Sequence, residues 1–163
     1  MFYMAALYKI GNPEEFERAK ILYDSHPKGR VARIFALFCL NQNEIGQAMK
    51  IVNFDYCLKN NIIAKERVQY NLQLMCLLKN GETERAIKTI KNWSDISCER
   101  KKSMSISYES IKILKDLIES EDKESVNQLH QDLLALKFIT EETIEDIVFE
   151  PVDWNKKVLS KKR

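Results

Sequence analysis

Residues 68–90 read VQYNLQLMCLLKNGETERAIKTI, and this stretch indicates the fold more strongly than any other part of the chain. Apolar residues recur at helical spacing before residue 79 and again from Ala86 onward, which predicts two helices. Gly81 stands between them, where a helix C-terminus favours a residue that adopts positive φ. Ala86 is small enough to let the two helices approach closely. Because such a hairpin cannot bury its own apolar face, it predicts neighbouring hairpins of the same kind.

The composition of the chain predicts an all-α fold. The 163 residues include only 4 Gly and 3 Pro, while hydrophobic residues make up 45% and charged residues 31%. Few helix breakers and this apolar content favour a folded helical protein over a disordered one. No apolar run approaches the ~20 residues that a membrane span requires. We expect one repeat domain over residues 1–150, truncated at its N-terminus, and a basic, disordered tail over residues 151–163.

Helical periodicity and turn residues predict the order of elements along the domain. Residues 53–64 are expected to form a helix end and a loop, residues 94–103 a polar connector, and Thr140 the N-cap of the last helix. The helices are expected at about residues 2–10, 13–25, 30–40, 44–52, 68–79, 82–93, 105–120, 123–136 and 141–150.

The helical pairs repeat with a period of 38 residues. Residues 43–48 align with residues 81–86, and Tyr70 aligns with Tyr108 at the same offset. This period is close to the ~34 residues of tetratricopeptide units. It predicts helical hairpins stacked as a short α-solenoid, whose concave surface suits an extended partner.

Several blocks of sequence resemble the pentatricopeptide repeat family. The block VQYN at 68–71, the turn KNG at 79–81 and Ala86 match the repeat itself. The order of further sequence blocks along the chain extends the resemblance over about residues 8–150. The resemblance implies a non-catalytic RNA-binding protein of the mitochondrial matrix, concerned with processing, maturation or stability of mitochondrial mRNA. Its implied partners are single-stranded mitochondrial RNA and other RNA-processing proteins.

Four residues are candidates for RNA contact. In the family each repeat faces one base, which two or three side chains read, and the resemblance assigns such a position to Asn71. Arg33 lies one period earlier, whereas Glu109, one period later, would repel phosphate. Lys79 and Arg30 are candidate phosphate contacts. The alternatives are a solvated helix-start residue for Asn71, charged side chains passing an apolar face for Arg33 and Lys79, and a solvated loop for Arg30.

A protein-interaction scaffold of the same architecture is the alternative function. Residues 1–80 carry 11 basic against 7 acidic residues, a net charge of +4, which supports RNA binding only weakly. RNA binding predicts a basic strip on the concave surface and affinity that falls steeply with salt. A peptide-binding groove predicts apolar or aromatic residues there and little dependence on salt.

The sequence shows no pattern of an enzyme. It has no Gly-rich phosphate loop and no catalytic pairing, so no catalytic residue, cofactor or small-molecule substrate is predicted. The acidic residues between 116 and 124 resemble a metal site only superficially, because Lys115 precedes them and Lys123 stands among them. The four cysteines form no C-x-x-C pair, and Cys39 and Cys76 are expected to be buried thiols of a protein in a reducing compartment.

Overall fold

The computed structural model describes residues 2–53, 66–100, 105–118 and 122–150. This part of the chain is almost entirely helical, which confirms the all-α prediction. The expected tail over 151–163 lies outside the described residues, as does nearly all of the expected loop over 53–64. The described elements are α1 (Phe2–Ile10), α2 (Pro13–Ser25), α3 (Gly29–Asn41), α4 (Ile45–Val52), α5 (Glu66–Lys79), α6 (Thr83–Arg100), β1 (Ile106–Ser107), α7 (Tyr108–Leu117), α8 (Lys123–Ala135), β2 (Ile139–Thr140) and α9 (Ile144–Phe149).

Three expected boundaries are wrong. Helix α6 continues to residue 100 through most of the predicted polar connector, and Trp93, fully buried, packs near its middle. The helix expected from residue 105 begins at Tyr108 because β1 precedes it and pairs in parallel with β2. Thr140 lies in β2 and is not an N-cap. Thr143 caps α9 instead, in a reciprocal capping box with Asp146.

The helices contact each other in a regular order. We call α1, α3, α5 and α7 the first helices, and α2, α4, α6 and α8 the second helices. Each first helix packs against the second helix that follows it and against the next first helix. Residues 32–40 of helix α3 are all buried. The first helices therefore form a continuous layer from α1 to α7.

Two of the inter-helix turns have the same geometry, 38 residues apart. Asn43 and Gly81 both adopt left-handed backbone conformations, with φ of 63° and 73°. In each turn the N–H of the next residue donates to the carbonyl five residues earlier, at 2.8 Å and 2.9 Å respectively, which is the Schellman pattern of helix termination. Ala48 and Ala86 follow at equivalent positions, and both are fully buried. The predicted positive φ of Gly81 and the internal position of Ala86 are confirmed.

Candidate functional site

The C-terminal strap, residues 141–150, lies across the first helices. Its helix α9 contacts both α3 and α5, and its residues Ile144, Ile147 and Val148 are buried in the core. The strap contains five acidic residues and no basic residue. We call the surface beneath it the first-helix face. This face is the candidate site because all of the repeat positions at which the sequence predicted contact lie on its helices.

Hydrogen bonds fix both ends of the strap to the first-helix face. At its start, Ser107 Oγ donates to the carbonyl of Glu142 at 2.7 Å. The carboxylate of Glu109 accepts from the first backbone N–H of α9 at 3.3 Å. At its end, Arg33 Nη2 donates to the carbonyl of Glu150 at 2.9 Å. The chain segment is therefore anchored by residues from two different first helices and from β1.

A basic strip on the first-helix face opposes the acidic strap. Lys9 pairs with Glu145, and Arg67 pairs with Glu142. The hydrogen bond from Arg67 is the main reason that the pKa of Glu142 lies below its ordinary value. The strip consists of four residues from three helices: Lys9, Arg30, Arg33 and Arg67. Charge complementarity thus adds to apolar burial in holding the strap, although exposed pairs of this kind contribute only ~0.2–1 kcal/mol each.

Phe149 is the aromatic anchor at the end of α9. Its ring centroid lies 5.4 Å from that of Tyr8. The Lys9 ammonium is 5.4 Å from the Phe149 centroid and the Arg30 guanidinium 6.0 Å, within the range of cation–π attraction. The Tyr8 hydroxyl donates to Glu145 at 3.0 Å. Burial, aided by this bond, raises the pKa of Tyr8 to about 12, so the hydroxyl stays protonated as a donor.

Asn71, to which the resemblance assigned the reading of a base, lies inside the protein. Its side chain is fully buried. Its amide nitrogen donates to the carbonyls of Arg67 at 2.9 Å and Ser105 at 3.0 Å, and its amide oxygen accepts from the N–H of Ser107 at 3.0 Å. Because both ends of the amide are bonded to the main chain, Asn71 joins α5 to β1. The alternative of a solvated residue is wrong, because the side chain is fully buried.

Arg33 is buried beneath the strap, whereas Arg30 beside it is half-buried. Arg33 is only 3% exposed, and burial followed by the charge of Arg30 lowers its pKa, while Glu150 partly opposes this shift. Arg30 Nη2 donates to the carbonyl of Phe149 at 3.4 Å. Each guanidinium retains a buried Nε without a partner. Both arginines contact the strap, and the buried Arg33 can meet another molecule only if that molecule replaces the strap.

Lys79 is exposed but stands apart from the basic strip. It is the last residue of α5, whereas Arg67 lies at the start of that helix. A rise of 1.5 Å per residue places the two positions about 18 Å apart along the helix axis. Lys79 therefore does not belong to the first-helix face as the strap defines it.

The strap and the roles of Lys9 and Arg67 were not predicted from the sequence. The signal was present in residues 141–150, where apolar side chains at positions 144, 147 and 148 share one helical face between acidic residues. That pattern is complementary to the net positive charge of residues 1–80. The sequence does not show that the strap folds back onto the helices of residues 1–80.

The remaining reactive groups do not form a second site on the described part of the chain. Cys39 and Cys76 are buried free thiols, as expected, and burial raises the pKa of each to about 12, so neither is a reactive thiolate. His130 Nδ1 lies 2.8 Å from Lys115 Nζ, away from the strap. Among residues 2–53, 66–100, 105–118 and 122–150, no three metal-ligating side chains cluster.

Within those same ranges, no helix has the length and apolar character needed to cross a membrane. No protein-family model, curated protein or solved structure matches this chain. Functional inference therefore depends on the geometry of the first-helix face.

Proposed function

We propose that this chain is a non-catalytic scaffold of helical hairpins, stacked as a short α-solenoid, whose first-helix face holds a helical segment of a protein partner. The observation that carries the proposal is the strap itself. The face already holds an amphipathic helix, with Ile144, Ile147 and Val148 buried against it. Of the two functions that the sequence suggested, a protein-interaction scaffold agrees better with this surface.

The apolar contacts of the strap favour a protein partner over RNA. Fully burying an aliphatic side chain contributes ~1.5–3 kcal/mol, so Ile144, Ile147 and Val148 together contribute roughly 5–9 kcal/mol as an upper estimate. A ligand that occupies the same face must replace these contacts. A second amphipathic helix supplies equivalent side chains, whereas RNA supplies phosphates and bases that do not fill aliphatic sockets.

RNA binding is the second candidate, and the basic strip favours it. Release of the strap would leave Lys9, Arg30, Arg33 and Arg67 without their contacts to it, and a group of Lys and Arg side chains neutralises phosphate charge. Membership of the pentatricopeptide repeat family, location in the mitochondrial matrix and a role in mitochondrial mRNA processing belong to this candidate. These three proposals are supported by the sequence resemblance alone.

The two candidates differ in the ligand and in its response to salt. The full chain is panned against a random-peptide phage library, and enriched peptides are synthesised and titrated by fluorescence anisotropy. A labelled single-stranded RNA of about 20 nucleotides is titrated in parallel at about 50 and 200 mM salt. We expect amphipathic peptides whose affinity changes less than about three-fold over this range, and no saturable RNA binding. Saturable RNA binding that weakens more than about 100-fold, with no enriched peptide, would overturn the proposal.

A further inference from the structure

Helix α1 is apolar on the side that faces solvent as well as on the side that faces the core. Its sequence, FYMAALYKI, contains a single charged residue, Lys9. The residues of α1 that are buried against the core are Met4, Leu7 and Tyr8. A helix that is apolar all round is typical of one that is covered on both sides. Helix α1 therefore presents an apolar face that no described helix covers.

This uncovered face consists of Tyr3, Ala6 and Ile10, which we call the α1 stripe. Their spacing of three and four residues places them on one side of the helix, opposite the buried side. Tyr3 is 55% exposed and Ile10 is 61% exposed, and Ala6 between them is exposed as well. Ile21 on α2 is similarly exposed, but most of its neighbours at helical spacing are charged. Single apolar residues of that kind are common on protein surfaces, whereas the α1 stripe is uncharged along its length.

We propose that the α1 stripe is a homodimer interface, in which two copies of this chain pack α1 against α1 about a two-fold axis at Ala6. This inference goes beyond the scaffold function and uses a surface outside the strap. A two-fold interface requires one patch that is complementary to itself. The first helices already pack against one another within the chain, and the α1 pair continues that layer from one copy to the next.

The spacing of the stripe is nearly symmetric about Ala6. Tyr3 lies three residues before it and Ile10 lies four residues after it. In an antiparallel pair of helices that cross at Ala6, each Tyr3 meets the Ile10 of the other copy, and the two alanines meet on the axis. A small residue at the crossing lets the helices approach to the roughly 8–10 Å that is usual for packed helices. The larger side chains then fill the space on either side of the axis.

The charges of α1 are compatible with this pairing. A two-fold axis brings each residue near its own symmetry mate, so a charge on the stripe would meet a like charge and weaken association. The stripe carries no charge. The one charged side chain of the helix, Lys9, pairs with Glu145 of its own chain, so its charge is already balanced.

The length of α1 determines how strong the dimer is. Its 9 residues span only ~13.5 Å. A pair of helices this short buries less than the ~1,200 Å² that marks the lower limit of standard interfaces. We therefore expect a reversible dimer with a Kd of the order of 10–100 μM.

The test is sedimentation velocity of the full chain at concentrations from about 1 to about 300 μM. We expect the unmodified chain to shift from monomer to dimer over this range. Ala6→Glu places two carboxylates on the axis and should weaken the dimer at least about ten-fold. Ile21→Glu, at a site 68% exposed and outside the stripe, is the matched control and should leave the shift unchanged. A chain that is monomeric throughout, or a dimer that Ala6→Glu does not weaken, would overturn the proposal.

Mixtures of two variants test the axis and the antiparallel direction. The Ala6→Glu and Ala6→Lys chains together bring opposite charges to the axis, so the mixture should associate at least about five-fold more tightly than either variant alone. The Tyr3→Lys and Ile10→Glu chains should show the same gain, because positions 3 and 10 meet only in an antiparallel pair. A mixture that associates no more tightly than its components contradicts the proposed geometry.

Two further measurements complete the test. If the Ala6→Glu chain loses its helical circular dichroism, Ile10→Gln replaces it, with an expected weakening of about five-fold. Peptides selected for the scaffold function should bind the Ala6→Glu chain as they bind the unmodified chain, because the stripe lies outside the strap. Peptides that instead displace the dimer would show that the stripe binds a different helix, and the proposal fails. A monomeric chain that still binds such peptides refutes the dimer and leaves the scaffold function intact.

Discussion

The hairpins α3–α4 and α5–α6 share their turns but differ in what their first helices bind. Asn43 and Gly81 end those first helices in the same left-handed conformation. At the position 38 residues apart, however, α3 carries Arg33 and α5 carries Asn71. Arg33 donates to the main chain of the strap, while Asn71 is bonded to the backbone of α5 and β1.

This difference indicates that the repeat determines the turn between two helices more strictly than it determines which residues make contacts. A turn requires positive φ and a small buried residue nearby, and these requirements are visible in sequence. Position 33 or 71 requires only a polar group that matches whichever segment covers it. Equivalent positions in the two hairpins therefore hold the fold together in different ways, and neither is directed at solvent.

The largest effect is expected from a substitution that disrupts the packing of the strap, which α3 binds. Ile147 is fully buried between the strap and the first helices, so Ile147→Asp places a carboxylate in an apolar socket. We expect the free energy of unfolding to fall by roughly 3–5 kcal/mol, measured by urea denaturation. The matched control is Ile21→Asp at a site 68% exposed, for which a change within about 0.5 kcal/mol is expected. Equal effects at the two sites would show that the strap does not pack on the face.

The next largest effect is expected at Asn71, the position on α5 that corresponds to Arg33 on α3. Asn71→Ala removes a buried side-chain amide and leaves its partners, the Ser105 carbonyl and the Ser107 N–H, unsatisfied. We expect a loss of about 2–3 kcal/mol in the free energy of unfolding. Asn92→Ala on the exposed side of α6 is the control, with little change expected. A stability loss confined to Asn92→Ala, or none for Asn71→Ala, would contradict the structural role of Asn71.

Substitution of two glycines by alanine is expected to change the stability in opposite directions, because only one of them lies in the shared turn. Gly81 adopts φ of 73°, so Gly81→Ala should lower the free energy of unfolding by about 1–2 kcal/mol. Gly46 lies inside α4 without positive φ, and nothing lies within 4 Å of an added Cβ. Gly46→Ala should therefore stabilise the protein by about 0.4–1 kcal/mol. Thermal denaturation of both variants checks the signs, and two changes of the same sign would contradict the account.

The smallest effect concerns the pair Arg67–Glu142. A double-mutant cycle with Arg67→Ala and Glu142→Gln should give a coupling energy of about 0.5 kcal/mol at neutral pH. The pKa of Glu142 is lowered by folding, so its contribution is present above its ordinary pKa and is lost as pH falls through the folded-state pKa. The coupling should thus disappear in acid, below the lowered pKa. A coupling that persists there would show that the ion pair is not its source.

The sequence predicted those features that depend on local physics. Helical periodicity, Gly81, Ala86 and the buried cysteines were all correctly inferred, because each is determined by residues close in sequence. The burial of Asn71 and Arg33 was not predicted, because it depends on chain segments 34–117 residues away.

Two of the wrong boundaries, the N-cap at Thr140 and the helix start at residue 105, have a common cause. Thr140 and Thr143 are each followed by acidic residues, so local pattern favours both as N-caps. The choice of Thr143 is made by the pairing of Ile139 and Thr140 with β1. A two-residue parallel pair leaves no period in sequence, and therefore only the tertiary arrangement reveals it.

Amide hydrogen exchange of residues 147–149 tests most directly whether the strap occupies the first-helix face. These amides belong to α9, and Ile147 N–H donates to the carbonyl of Thr143 at 3.1 Å. We predict exchange at least about 100-fold slower than in an unstructured peptide, with several-fold acceleration in the Arg67→Ala chain and unchanged rates in α2. Exchange of these amides at the unstructured rate in the unmodified chain would contradict the account.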